Sequence, residues 1–315
     1  MRIAILDYVA PKDYTPESIL TEPMGGTEAT VCRVTTGLRE RGHEVHLLTR
    51  GSKFDEFRPS HVLVLRDPKY LQYARDRWPD AKLYLWCHDL PTRELGLQIA
   101  AINAARTSHV VCVSNWAMVQ TTEMFKAMGY KGGFKMTRVY NPVCVELKPA
   151  TTNYHKLVWL SSPHKGLDYA YEIFSKLNSY DDAFSLFCLN PGYYFRDMPI
   201  PKGVRDIGAC THAEAMDVLR DSLCLFYPNK VFPETFGLVM AEANALGVPV
   251  LTHNLGAAKE VLDSHPSQLI DCNKVDKVIE RVISWSRGSR PAVVGNESFK
   301  LSRVLSDWEK LFGST

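Results

Sequence analysis

Residues 231–259 read VFPETFGLVMAEANALGVPVLTHNLGAAK, and the reading of this stretch decides the rest. Pro233, Glu234 and Thr235 look like a turn ending in a helix N-cap, with the Thr235 hydroxyl placed to accept from an orphan N–H of the first turn. The expected helix runs over residues 236–246 and is stopped by Gly247 and Pro249. Leu238, Val239, Met240, Ala241, Ala243, Ala245 and Leu246 leave almost no polar face, so the helix should be buried nearly all round. Inside it lies one carboxylate, Glu242. A buried carboxylate is costly unless donors meet it, so Glu242 calls for a partner in the protein or for a hydroxylated ligand such as a ribose. At the helical rise Glu234 would stand roughly 12 Å from Glu242. Between them the N–H groups of Phe236, Gly237 and Leu238, with the positive helix end, form an expected anion site. The order carboxylate, anion hole, carboxylate suits a sugar, a diphosphate and a ribose.

Glu234 and Glu242 form an E-x7-E pair, and PETFGLVMAEANALGVPV resembles the core signature of the family 4 retaining glycosyltransferases. That resemblance implies a GT-B fold: α/β, two Rossmann-like parallel-sheet domains facing a central cleft, with the nucleotide sugar on the C-terminal one. The rest of the chain can be compared with that expectation.

The 315 residues suffice for two cores; 45% are hydrophobic, 23% charged, and the formal net charge is +2. Such a balance gives no ground for a nucleic-acid partner. No apolar run approaches the ~18 residues of a membrane span, and the chain opens directly on a strand-like run, from which we expect a cytoplasmic protein. Eight dispersed cysteines without a C-x-x-C pair suit a reducing compartment and no zinc site. His43 and His46 straddle a helix end and a strand, so no metal site is expected there.

RIAILDY, the paired Gly25 and Gly26, a helix carrying Val31, Val34 and Leu38, and EVHLLT compose a strand, glycine loop, helix and strand. This is the opening unit of a parallel sheet with right-handed crossovers. A G-x-G-x-x-G fingerprint is absent, which removes the main support for a dinucleotide dehydrogenase. Residues 25–49 also resemble the first unit of the glycosyltransferase family, which implies that Gly25 and Gly26 touch donor or acceptor. Further strands are expected at residues 62–65, 83–87 and 110–113, with helices around 70–77 and 95–106. His88 and Asp89 follow the LYLWC strand at its carboxyl end, where ligands of such sheets bind. WCHDLP is similar to the family position at which a His faces donor sugar and acceptor. Ser114 should cap the next helix. The run MFKAMGYKGGFKMTRVY reads as a basic, aromatic surface loop, a place for peripheral contact with a membrane bearing a lipid-linked acceptor.

A polar stretch with two prolines sets the expected domain boundary at residue 149. The expected domains are residues 1–149 (acceptor side), 150–295 (nucleotide-sugar side) and a final helix, 296–315, that crosses back to the first. SSPHKGLDYA puts Lys165 at the end of a strand beside a glycine turn, a position for a phosphate. It resembles a variant of the family's donor loop, which implies diphosphate contact from Lys165. The commoner family pattern has an Arg where this chain has Leu160, so hydroxyls of Ser161 or Ser162 are expected to substitute. Thr211 and Glu214 form a capping box, and the preceding 207–210 stretch, with Gly208, resembles the family's loop beside the nucleotide base. The 254–258 loop resembles a G-G-x-x-E stretch with one glycine lost, leaving Gly256.

The resemblance thus implies a metal-independent, retaining transferase using a nucleotide sugar, UDP- or GDP-linked, with no separate cofactor and a glycan or lipid-linked hydroxyl acceptor. Glu234, His88 and Lys165 would be catalytic, and Glu242, Thr235, Phe236, Gly237, Leu238, Gly25, Gly26, Ser162 and Gly208 donor-binding. Two alternatives stay open: a sugar-nucleotide epimerase, needing an acid and a base, and a catalytically silent GT-B adaptor that binds nucleotide or carbohydrate.

Overall fold

The computed structural model describes residues 1–52, 56–92, 94–193 and 198–313. The chain divides into two compact units: unit 1 is Met1–Ser18, Thr27–Pro142 and Lys300–Thr315, and unit 2 is Ile19–Gly26 with Val143–Phe299. The division falls at Pro142, seven residues before the boundary expected at residue 149, and Val143 N donates to Phe299 O within unit 2.

Unit 1 contains β1 (Arg2–Leu6), α1 (Gly26–Glu40, whose first residue is grouped with unit 2), β2 (Glu44–Leu48), β3 (His61–Leu65), α2 (Lys69–Arg77), β4 (Lys82–Cys87), α3 (Leu95–Ala104), β5 (His109–Cys112), α4 (Asn115–Ala127) and β6 (Lys135–Arg138). The six strands are parallel in the order β2-β1-β3-β4-β5-β6. A strand with helices on both faces of its sheet must be apolar throughout, and β3, β4 and β5 are buried almost end to end. Ser114 caps α4 as expected, its hydroxyl accepting from Ala117 N at 2.9 Å.

The basic, aromatic run, whose first four residues are the end of α4, is not a plain loop. Lys135–Arg138 pairs with β5 as the edge strand β6. Its aromatic residues turn inward: Tyr130 stacks on Phe134 at 4.3 Å, and both pack against the unit 1 core. An edge strand covered on one side has no need of a continuous apolar run, and the polar KMTR hides the strand.

Unit 2 contains β7 (Asn153–Leu160), α5 (Leu167–Tyr180), β8 (Ser185–Asn190), β9 (Val204–Ala209), α6 (His212–Leu219), β10 (Ser222–Tyr227), α7 (Leu238–Ala245), β11 (Val250–Thr252), α8 (Ala258–Val261) and α9 (Val275–Ser284). Its parallel strands run in the order β11-β10-β7-β8-β9. Residues 207–209, expected in a loop, are the end of the exposed edge strand β9; the register slips around them and Gly208 has φ +77°.

The last helix, α10 (Leu301–Gly313), belongs to unit 1. Its apolar stripe presents Val304, Leu305, Trp308, Leu311 and Phe312, all buried. Trp308 meets Trp86 of β4 edge to face at 4.8 Å, and Arg41 and His43 both reach Glu309, at 2.6 and 2.9 Å. Among the described residues no helix is long and apolar enough to cross a membrane.

Candidate active site

In open α/β sheets ligands bind beyond the carboxyl ends of the strands, at the point where strand order reverses. In unit 2 the chain moves outward from β7 through β8 to β9, then returns to lay β10 on the other side of β7. The reversal point therefore lies between β7 and β10. β7 is followed by Ser161 and Ser162, a short 3-10 turn Pro163–Lys165, and Gly166 in the left-handed region. β10 ends at Tyr227 and feeds the loop to Glu234.

Lys165 and Glu234 meet here. The Lys165 ammonium donates to Oε1 at 2.8 Å and Oε2 at 3.0 Å. Tyr227 donates its hydroxyl to Oε1 at 2.6 Å, and Asn229 donates to the Tyr227 oxygen at 3.4 Å. Burial, followed by the Glu234 charge, pushes the Tyr227 phenol well above its ordinary range, so it remains a donor. The Phe232 ring lies 4.5 Å from the Lys165 ammonium. His164 is held below its ordinary value by burial first, then by Lys165, with Glu234 opposing. Ser162 Oγ is buried and has no hydrogen-bond partner among the described residues.

The Glu234 backbone is fixed from a third direction. Ala257 N donates to Glu234 O at 2.9 Å. Gly256, at φ +66°, comes so close that a Cβ there would stand 2.5 Å from Glu234 O and 2.6 Å from its N. The glycine retained in this loop thus permits a backbone approach that any side chain would block.

The helix itself begins later than the sequence suggests. α7 starts at Leu238, its N-cap is Gly237 at φ +82°, and no side chain caps it. Thr235 is not the cap. Gly237 O accepts from Met240 N and Ala241 N, so the helical ladder begins there, and a side chain at residue 237 would run into Met240. Glu234 consequently stands in a non-helical loop, and the 12 Å axial spacing does not apply to it. Phe236 is buried with its ring 5.0 Å from Phe299, so its side chain serves the core. The N–H groups of Leu238 and Val239, lacking an acceptor four residues back, are the ones this helix end offers.

Glu242 is 4% exposed and its Oε1 lies 2.8 Å from His212 Nε2, at the start of α6. The capping box that fixes α6 is present, with Thr211 N donating to Glu214 Oε2 at 2.8 Å. Asn244, two residues on, is bound into a different network with Gln268 and Ser264. Gly26 also belongs to this unit: a Cβ on it would touch Leu238 at 3.6 Å, while Gly25 is buried beside it. Unit 2 therefore gathers Lys165, Glu234, Ser162, Gly26 and the α7 start, with Glu242 further along that helix. Gly208 stands apart on the edge strand.

In unit 1 the strand order reverses between β1 and β3. Asp7 and Arg66 are the residues that follow these strands. Arg66 Nη2 donates to Asp7 Oδ2 at 3.0 Å and to Glu28 Oε1 at 2.7 Å, and Tyr14 donates to Asp7 Oδ2 at 2.8 Å. Arg66 has φ +63°, an unusual backbone for a side chain with a Cβ. His88, after β4, is buried with its ring 4.9 Å from Trp86; desolvation and then the Arg66 charge hold it neutral well below its ordinary range.

The sequence reading missed Tyr227, Asn229, His212, Asp7, Arg66 and Glu28. A signal existed for three of them: Asp7, Arg66 and Tyr227 stand at or just past the carboxyl end of an apolar strand run. His212 carries no such mark.

Residues 160–296, inside unit 2, match the sequence family described as Glycosyl transferases group 1. The match covers less than half of the chain; the two Rossmann-like parallel-sheet units have the architecture of the GT-B fold. No curated protein sequence matches the chain significantly. Among solved structures, the sucrose-phosphate synthase from Thermosynechococcus elongatus is similar at TM-score 0.69 with 12% identity, covering 100% of both chains. The pneumococcal O-GlcNAc transferase GtfA in complex with UDP and GlcNAc is similar at TM-score 0.62 with 12% identity, over 80% of this chain and 56% of that one. TarM of S. aureus, in complex with Fondaparinux, alpha-GlcNAc-glycerol and UDP, follows at TM-score 0.60 and 15% identity, over 80% and 55%. The chain thus spans little more than half the length of the GtfA and TarM chains.

Proposed function

We propose that this chain is a retaining, metal-independent glycosyltransferase that moves a sugar from a nucleotide donor to a hydroxyl of a glycan or lipid-linked acceptor. The observation that carries the reading is the Lys165–Glu234 pair at the β7/β10 reversal point, with buried Glu242 in the helix beyond it. Lys165 and the N–H groups of Leu238 and Val239 stabilise the charge that develops on the leaving diphosphate. Glu234 accepts from sugar hydroxyls, Glu242 from the ribose, and the orphan Ser162 hydroxyl adds a donor near the phosphates. Retention follows if the acceptor attacks on the leaving-group face and a phosphate oxygen takes its proton. On unit 1, His88 is assigned to sugar and acceptor hydroxyls; an imidazole whose pKa is held well below its ordinary range is a weak base and suits hydrogen bonding there better than proton abstraction. The UDP complexes of GtfA and TarM favour a uridine nucleotide over the alternatives.

The test is a panel of UDP-, GDP- and ADP-sugars scored for nucleotide release, with and without crude acceptor glycans. Acceptor-stimulated release from one donor, unchanged by EDTA, is the expected result. Nucleotide binding without release from any donor would replace the enzyme with a silent adaptor, and loss on EDTA would remove metal independence.

A further inference from the structure

Lys165 and Glu234 have different partners in the proposed reaction, diphosphate and sugar, yet within the protein they satisfy each other. An ammonium has three N–H donors, and two contacts go to the Glu234 oxygens at 2.8 and 3.0 Å. The carboxylate is the better-anchored member. Its backbone oxygen is bound by Ala257 N, its Oε1 by the buried Tyr227 hydroxyl, and Gly256 is pressed against its peptide. The ammonium rides on a flexible four-carbon stem and is the partner able to move.

We propose that the Lys165–Glu234 pair is a specificity device that couples sugar recognition to diphosphate recognition. Glu234 withholds the Lys165 charge from a nucleoside diphosphate that carries no sugar. When sugar hydroxyls donate to the carboxylate, they replace the hydrogen bonds of Lys165, and the ammonium turns to the diphosphate. The site then favours the intact donor over the nucleotide left after transfer, which assists product release. This inference rests on the donor-site reading above and adds to it the order of preference between donor and product.

The experiment is calorimetric titration of the whole chain with UDP, GDP and ADP, and with UDP-glucose, GDP-glucose and ADP-glucose, at one ionic strength. Glu234→Gln keeps the shape and the oxygen facing Tyr227 but no longer neutralises Lys165. It should bind the accepted diphosphate about tenfold more tightly than the wild type, the worth of one released charge-assisted hydrogen bond. The wild-type preference for the sugar conjugate should shrink with it. Unchanged or weaker diphosphate binding in Glu234→Gln overturns the proposal. A gain that persists in Glu234→Gln with Lys165→Ala overturns it too, since relief of repulsion alone would then explain the effect. If the wild type binds none of the three diphosphates, the donor-site reading itself falls.

Discussion

His212 Nε2 stands 2.8 Å from Glu242 Oε1, joining the first turn of α6 to the middle of the buried helix α7. The carboxylate that should hold a ribose therefore takes its orientation from a residue thirty positions earlier in the chain. Replacing Glu242 with Ala should weaken nucleotide binding by roughly 1–3 kcal/mol, and His212→Ala by about 0.5–1.5 kcal/mol through a less well-held carboxylate. Calorimetry with a ribonucleotide and its 2′-deoxy form checks this. Both variants should discriminate less between the two, and an undiminished ratio in Glu242→Ala would remove the ribose assignment.

Tyr227→Phe deletes the donor to Glu234 Oε1 while keeping the buried ring. A hydrogen bond to a charged group is worth about 1.5–3 kcal/mol, so denaturant unfolding should show a loss of that order. Turnover should fall further than nucleotide affinity, because Glu234 is assigned to the sugar.

Gly256→Ala places a Cβ against the backbone of Glu234, which no rotamer change relieves, at a positive φ that alanine resists. A loss of about 2 kcal/mol or more in stability is expected, with donor turnover abolished. A melting temperature and activity equal to the wild type would show that the 254–258 loop is free to withdraw.

The His88 imidazole gives a pH signature. Its folded pKa is depressed, by burial first and Arg66 second, below the ordinary 6.5. The unfolded chain thus binds the extra proton in the window below 6.5 and the folded one does not. The stability contribution is complete above 6.5 and lost as pH falls through that window. Denaturant unfolding across this range should show a slope that flattens in His88→Asn, whatever the variant's absolute stability.

Much of the scaffold was legible because central parallel strands are buried on both faces and so read as apolar runs. RIAIL, HVLVL and SLCLFY announce themselves in this way. The edge strands KMTR and VRDIGA do not, since one side of each is unpaired and their side chains reach solvent. The helix start was misplaced for a local reason. Thr235 has the chemistry of a cap, but Gly237 alone in that turn adopts a left-handed backbone cheaply, and the ladder begins from its carbonyl.

The chain by itself determined the kinds of element and their order, and it marked three polar residues that unit 2 gives buried or part-buried partners: Lys165, Glu234 and Glu242. Local periodicity and turn chemistry are written within a few residues of each. Only the tertiary structure decided who meets whom. Lys165 reaches Glu234 across 69 positions, Arg66 reaches Asp7 across 59, and His212 reaches Glu242 across 30. The first two meetings depend on which parallel strands lie side by side, because residues that follow neighbouring strands converge at one end of the sheet; the third joins α6 to α7, which follow the non-adjacent strands β9 and β10. Strand order is set by the packing of the whole unit, and no stretch of sequence carries it alone.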